Sequence, residues 1–257
     1  MSDADASLLD ACRRARRVLC VTGAGVSRGS GVPTYRDAMT GLWANYRPEE
    51  LATPEAFAAD PALVTRWYDE RRLACLKCYP NDGHRAVARW QHRLDDRPDA
   101  SFTLVTQNVD DLHERAGSPA DRVHHIHGTM FRWLDPRTGQ RYDASDNRPL
   151  VDDDRYPPRS SAGHALRPDI VWFGETLPTD VLAVVQAALE DCDLFISAGT
   201  SGVVHPVAGF VHAVRPSAVT VEVNPEPTPI SPAFDHTLRE PAEVGLPRLV
   251  GDAQGED

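Results

Sequence analysis

Residues 17–36 read RVLCVTGAGVSRGSGVPTYR, an apolar run from Arg17 to Thr22 that flows straight into glycines. A short β-favouring stretch ending in Gly23-Ala24-Gly25 reads as a buried strand feeding a tight turn. The design returns in SFTLVTQN at 101–108 and DLFISAGTS at 193–201, and AVTVEVN at 218–224 is a fourth such run. Between them lie helical candidates. In 178–191, Val181, Leu182, Val185, Ala188 and Leu189 recur at helical spacing behind Thr179, a candidate N-cap. Strands alternating with helices predict an α/β fold, Rossmann-like, with a mostly parallel sheet and helices on both faces. Two stretches break the rhythm: 37–80 is rich in helix formers, and 130–167 is polar and rich in Pro, Asp and Arg. They read as two insertions forming a smaller lobe, leaving 1–36, 81–129 and 168–257 as the main domain.

Composition bounds what such a protein does. With 257 residues and 41% hydrophobic content, the chain can bury a real core. A formal charge of -11 argues against a sequence-independent nucleic-acid binder, which needs a cationic surface. The opening MSDADASLLD lacks the positive start and apolar stretch of a secretory signal. No run approaches the roughly 18 apolar residues of a membrane span. A cytoplasmic address is therefore the default expectation, and a monomer is expected. The five cysteines, Cys12, Cys20, Cys75, Cys78 and Cys192, are odd in number and read as reduced thiols.

Open α/β sheets place ligands at the carboxyl ends of their strands. Gly23-Ala24-Gly25 follows such a strand, so its backbone amides are positioned to approach a pyrophosphate. Alone the signal is weak. Arg28 occupies the third-glycine position of GxGxxG, no acidic residue follows at the usual distance on a second strand, and an ordinary turn is an equal reading. The later clusters are more specific. TQNVDDLHERAG at 106–117 ends a strand in Gln107, Asn108 and Asp110, and HIHGT at 125–129 places His127 just before a glycine. Together with GAGVSRGSGVPTYR at 23–36, RPDIVWFGETLP at 167–178, GTS at 199–201 and VEVN at 221–224, these blocks resemble the sirtuin family in order and spacing. The resemblance runs from about Arg17 to about Val250.

The resemblance implies an NAD-binding main domain and NAD-dependent removal of acyl groups from lysine side chains of proteins. Ala24 and Gly25 would hold the NAD phosphates, and Arg36 the nicotinamide-ribose half. Tyr35 stands where the family has Phe, which keeps a ring over the reacting sugar and adds a hydroxyl. Gln107, Asn108 and Asp110 would line the nicotinamide pocket, while Gly199, Thr200, Ser201, Asn224 and Ala242 would contact the adenosine half. His127 matches the catalytic base, and 171–174, with Val171, Trp172, Phe173 and Gly174, matches the strand that pairs with an acyl-lysine peptide. The products implied are free lysine, nicotinamide and an O-acyl-ADP-ribose.

These residue types suit that chemistry. Cleaving the nicotinamide bond builds positive charge on the ribose, and the acyl oxygen that attacks it is a weak nucleophile, so positioning and exclusion of water matter most. A neutral imidazole can then take a ribose hydroxyl proton without being locked in its charged form. The bland reading of His127 is a turn histidine hydrogen-bonded to backbone; His124 and His125 read as structural.

Within the family, one branch that removes succinyl and malonyl groups carries an alanine and then a Tyr-x-x-Arg pair gripping the acyl carboxylate. LATPEAFAADPALVTRWYDERR at 51–72 supplies Ala52, Tyr68 and Arg71 at matching spacing. Three residues apart on a helix, the phenol and guanidinium share one face, where they can bind a carboxylate with charge-assisted hydrogen bonds. The plainer reading makes Arg71 part of a solvated Arg-Arg pair and Tyr68 a half-buried packing residue.

The departure from the family is metal. Sirtuins carry two CxxC-like pairs closing a structural zinc, whereas 130–167 contains no cysteine, and Asp135, Thr138, Pro157 and Ala162 fall about where the pairs would lie. No zinc is expected. An oxygen-rich site from Asp143, the Asp152 to Asp154 run and His164 is the lesser reading. Packing by Trp133, Leu134, Tyr142 and Tyr156 has to hold the stretch. Cys75 and Cys78 form a lone CxxC, read as two buried thiols on one helix face. Two other functions stay open: an NAD hydrolase or ADP-ribosyltransferase using the same pocket, and a catalytically silent NAD or ADP-ribose sensor.

Overall fold

From Val18 to Thr22 no side chain of β1 (Arg17–Thr22) is more than 2% exposed. A strand covered on both faces has no polar side to alternate with, which is why it reads as one apolar run. The computed structural model describes residues 3–32, 48–146, 148–151 and 155–251. The expectations for Tyr35, Arg36 and the Asp152 to Asp154 run lie outside the described residues.

Before β1 comes α1 (Asp3–Arg14), and after it α2 (Ala24–Arg28). The helices α3 (Pro48–Leu51), α4 (Pro54–Ala59), α5 (Pro61–Leu76) and α6 (Asp82–Asp95) lead to β2 (Ser101–Thr106). Next are α7 (Leu112–Arg115), β3 (Val123–His125), β4 (Gly128–Leu134), β5 (Arg141–Asp143) and β6 (Arg167–Ile170). The chain closes with α8 (Thr179–Asp191), β7 (Leu194–Ala198), α9 (Phe210–Ala213), β8 (Val219–Val223), β9 (His236–Leu238) and α10 (Ala242–Val250). Thr179 is the first residue of α8, not its cap: Pro178 occupies the N-cap, with no side-chain hydrogen bond.

Six parallel strands run in the order β3-β2-β1-β7-β8-β9. The chain steps outward from β1 to β3 and then returns to place β7 on the other side of β1. The crevice between β1 and β7 is thus the switch point at which such sheets bind ligands. Side chains alternate across the sheet as the pleat requires. Val18 and Cys20 enter one core with residues of α1, α6 and α10, while Leu19 and Val21 enter another with residues of α8 and α9. Among the described residues no helix is long and apolar enough to cross a membrane.

A third core joins the two insertions. Leu51, Val64, Trp67, Tyr68 and Cys75 pack against Met130, Trp133, Leu166 and Trp172, on a three-stranded antiparallel sheet of order β5-β4-β6. Packing is not the whole of it. Arg72 is fully buried, donates to Asp69 Oδ1 at 2.8 Å through Nε, and reaches the carbonyls of Ala144, Asp146 and Arg148. Asp69 Oδ2 accepts from the Leu150 amide and the Tyr156 hydroxyl. Of the Arg-Arg pair only Arg72 is withdrawn from solvent, stapling the helical insertion to the other one, while Arg71 is half-buried. At the far end Asp135, 1% exposed, binds His164 Nδ1 at 2.9 Å. Cys75 is buried in α5, but Cys78 lies beyond the helix end and is only half-buried, so the two thiols do not share a buried helix face.

Candidate active site

The ends of β1 and β7 are sewn together by backbone. Gly23 N donates to Ala198 O at 3.0 Å, and Gly25 N to Gly199 O at 2.8 Å. Gly199 has φ +62, and a Cβ there would come within 2.4 Å of Val26 N, so no other residue fits this crossing. The amide of Gly25, expected to face a phosphate, is committed to Gly199 O in this structure. Ala24, exposed, opens α2 beside it. On the same edge Gly199 N donates to Val223 O at 2.9 Å and Asn224 Nδ2 to Thr200 O at 2.6 Å; Ser201 is exposed. Ala242 is a core residue, 2% exposed, packed in the cluster that contains Val26 and Ala86, so its methyl presents nothing to a ligand.

Asn108 and Asp110, 6% and 5% exposed, meet at Ser27. Ser27 Oγ accepts from Asn108 Nδ2 at 3.0 Å and donates to Asp110 Oδ2 at 2.9 Å. Its third neighbour is His84 Nε2 at 3.3 Å. His84 Nδ1 faces Asn81, 3.0 Å from its side-chain Oδ1 and 3.3 Å from its backbone amide, while Nε2 faces Ser27. Burial pushes the His84 pKa down to about 4, which keeps this ring neutral. Burial also raises the Asp110 carboxyl above its ordinary range, opposed by the bonds from Ser27 and the Leu112 amide. Behind them His113 Nε2 reaches Thr22 Oγ1 at 3.0 Å, and Thr22 donates to Thr106, which accepts the Asn108 amide. Asn108 and Asp110 were legible as a motif. Ser27, His84 and His113 were not singled out, although Ser27 stands in the glycine block and His113 in the same twelve-residue cluster as Asp110.

His127 hangs from the end of β2: its Nδ1 lies 3.1 Å from Gln107 O. A carbonyl only accepts, so Nδ1 bears the hydrogen and the neutral ring keeps its lone pair at Nε2. Burial lowers its pKa below the ordinary histidine value, against a smaller opposing effect of the bond to Gln107. The group is a neutral base with one nitrogen fixed and the other available. The bland reading of a turn histidine bonded to backbone describes the same contact, because that contact is what selects the tautomer. His125 is held alike, with Nδ1 3.0 Å from Asn108 O, but its Nε2 lies 2.6 Å from Glu114 Oε1. Burial lowers its pKa and the Glu114 carboxylate raises it further, leaving it above the ordinary value.

The residues expected to form the acyl pocket lie in or beside the third core. Ala52 and Tyr68 are buried, and Arg71, half-buried, lies with its guanidinium 4.7 Å from the Trp67 ring centroid and 6.0 Å from that of Tyr68. Residues 171–174 are not a strand, since β6 ends at Ile170. Val171 N donates to His127 O and Phe173 N to Ala52 O, which ties the base, this segment and the small lobe together. Phe173 is 53% exposed and Gly174 turns the chain at φ +85. Trp172 points inward, its Nε1 donating to the Tyr68 hydroxyl. Among the described residues no group of three or more His, Cys, Asp or Glu side chains is arranged to hold a metal.

The sequence pattern of the Sir2 family matches residues 23–206. NAD-dependent protein deacylase 1 of Pseudomonas aeruginosa is 47% identical over 241 residues, 92% of this chain and 94% of that protein. An NAD-dependent protein deacylase of Mycobacterium tuberculosis is 43% identical over 236 residues, 91% of this chain and 96% of that one. The crystal structure of a Sir2 homolog in complex with NAD superposes with a TM-score of 0.87 at 39% identity, covering 98% of this chain and 94% of the other. A match of this extent, in sequence and in three dimensions, means that the chain belongs to the Sir2 family.

Proposed function

We propose that this protein is an NAD-dependent protein-lysine deacylase that removes succinyl and malonyl groups, and also acetyl groups, yielding nicotinamide and an O-acyl-ADP-ribose. The observation that carries the reading is His127, whose Nδ1–H is fixed on Gln107 O so that Nε2 is the basic atom, on the sheet edge that holds Asn108 and Asp110. The donor set fits NAD as co-substrate. Asn108 and Asp110 set an amide beside a carboxyl for a carboxamide, and Gly199, Thr200, Ser201 and Asn224 line the ends of the neighbouring strands for the adenosine half. NAD supplies the labile nicotinamide bond. With NAD and substrate bound, the Nε2 lone pair of His127 would be the group to accept a ribose hydroxyl proton.

Tyr68 and Arg71 support acidic-acyl specificity, because the guanidinium stands over the phenol ring on one helix face and Ala52 leaves room for the chain. The small lobe is read as needing no zinc: the Asp135–His164 and Asp69–Arg72 pairs do the holding. Elemental analysis near one zinc per chain would overturn that. The main test is incubation with NAD and a succinyl-lysine or acetyl-lysine peptide, with mass analysis of both products. Deacylated peptide together with O-acyl-ADP-ribose is expected. NAD consumed with both peptides intact would favour a hydrolase, and no NAD turnover at all would favour the sensor. Arg71→Met should lower the succinyl-to-acetyl ratio of kcat/KM about ten- to a hundredfold, the worth of a charged hydrogen bond.

A further inference from the structure

Trp172 and Glu175 lie in the VWFGE block, yet peptide pairing through its backbone gives neither side chain a task. The indole is held from several sides. The Arg167 guanidinium lies 3.4 Å from its ring centroid, and the Phe57 ring packs at 5.5 Å. Arg167 is gripped by both oxygens of Glu175, at 2.6 and 2.9 Å, and donates to Ile170 O at 2.8 Å. Glu175 closes the circuit by accepting from the Trp172 backbone amide at 2.8 Å. A two-point pair with a carboxylate fixes the plane of a guanidinium, and a cation stacked on an indole face holds the ring in turn. With Trp172 only 2% exposed, this indole has one place to be.

That place aims Nε1–H at the Tyr68 hydroxyl oxygen, 3.1 Å away. An indole N–H only donates, so the phenol must accept there and turn its own proton elsewhere. A hydroxyl that accepts a hydrogen bond is also a stronger donor. We propose that Trp172, locked by Arg167 and Glu175, is a specificity-determining positioning residue that directs the Tyr68 O–H at the carboxylate of an acidic acyl chain. This rests on the reading of Tyr68 and Arg71 as the carboxylate pair. The indole acts through the phenol and does not touch the acyl group. A phenylalanine in its place packs and stacks but donates nothing, which separates positioning from mere filling of space.

The test measures kcat and KM for succinyl-lysine and acetyl-lysine peptides at saturating NAD in the wild type, Trp172→Phe, Tyr68→Phe, the double variant and Arg71→Met. In Trp172→Phe the succinyl-to-acetyl ratio of kcat/KM should fall about three- to tenfold, the scale of one neutral hydrogen bond, with the loss in KM for the succinyl peptide. The double variant should match Tyr68→Phe alone, because without the hydroxyl the indole has nothing to orient. Equal losses on both peptides, or ratio losses that multiply in the double variant, would overturn the proposal. If Trp172→Phe folds poorly, Glu175→Gln keeps the indole and loosens its clamp; an unchanged ratio there overturns the proposal equally. An unchanged ratio in Arg71→Met sinks the carboxylate pair itself. A large fall in Arg71→Met beside none in Trp172→Phe sinks only the positioning role.

Discussion

The edge of the parallel sheet and the small lobe bury polar groups by opposite means. At the sheet edge most of these side chains are tied to backbone or to a neutral partner, His127 to the Gln107 carbonyl, His113 to Thr22 and Asn108 to Ser27, with His125 on Glu114 as the charged exception. In the small lobe the contacts run between side chains that carry or can carry charge: Asp69 pairs with Arg72, Asp135 Oδ2 meets His164 Nδ1, and at the border with the main domain Glu175 pairs with Arg167. The sheet's ladder already fixes the strand ends, so one hydrogen bond suffices to orient an imidazole. The lobe has only a three-stranded sheet and long connections, so side-chain ion pairs supply what the ladder does not. The lesson is that the geometry of the candidate site follows backbone register, whereas the lobe depends on a few buried side-chain pairs.

The largest expected effect is at the sheet edge. His127→Ala should cut deacylation about a hundredfold or more, the usual worth of a general base, while NAD affinity by calorimetry changes little. Full activity in that variant would remove the base from the scheme. In the lobe, Arg72→Met strands the Asp69 carboxylate in a dry interior, which typically costs about 3–5 kcal/mol. For a chain of this size that is a fall of roughly 6–20 °C in Tm, and a loss within 2 °C would mean that packing alone holds the lobe. The smallest effect sharpens the contrast in charge. Burial lowers the His127 pKa, and a protonated imidazole cannot act as base, so activity is lost as pH falls. The acid limb of kcat/KM should therefore centre below the ordinary value near 6.5; a limb centred above 7 would point to another group.

Much of this molecule is legible in local pattern. β1 has the bounds its apolar run suggests, and Gln107, Asn108, Asp110 and His127 do converge on one edge. Those features come from neighbouring residues: strand burial, glycine turns, and the alignment of parallel strand ends. What stayed hidden depends on partners far apart in the chain. Sequence periodicity places Arg71 and Arg72 side by side without saying which is covered, because the loop that buries Arg72 has no period to read. The amide of Gly25 looks free until Gly199 arrives from the other half of the sheet. Asp135 and His164 are 29 residues apart, and Trp172 and Tyr68 are 104 apart. Hydrophobic period and turn chemistry are properties of adjacent residues, so the sequence alone determined the main strands and helices and the blocks from which the candidate site is built. Which polar atom is buried against which is a property of the packed chain, and only the tertiary structure decided it.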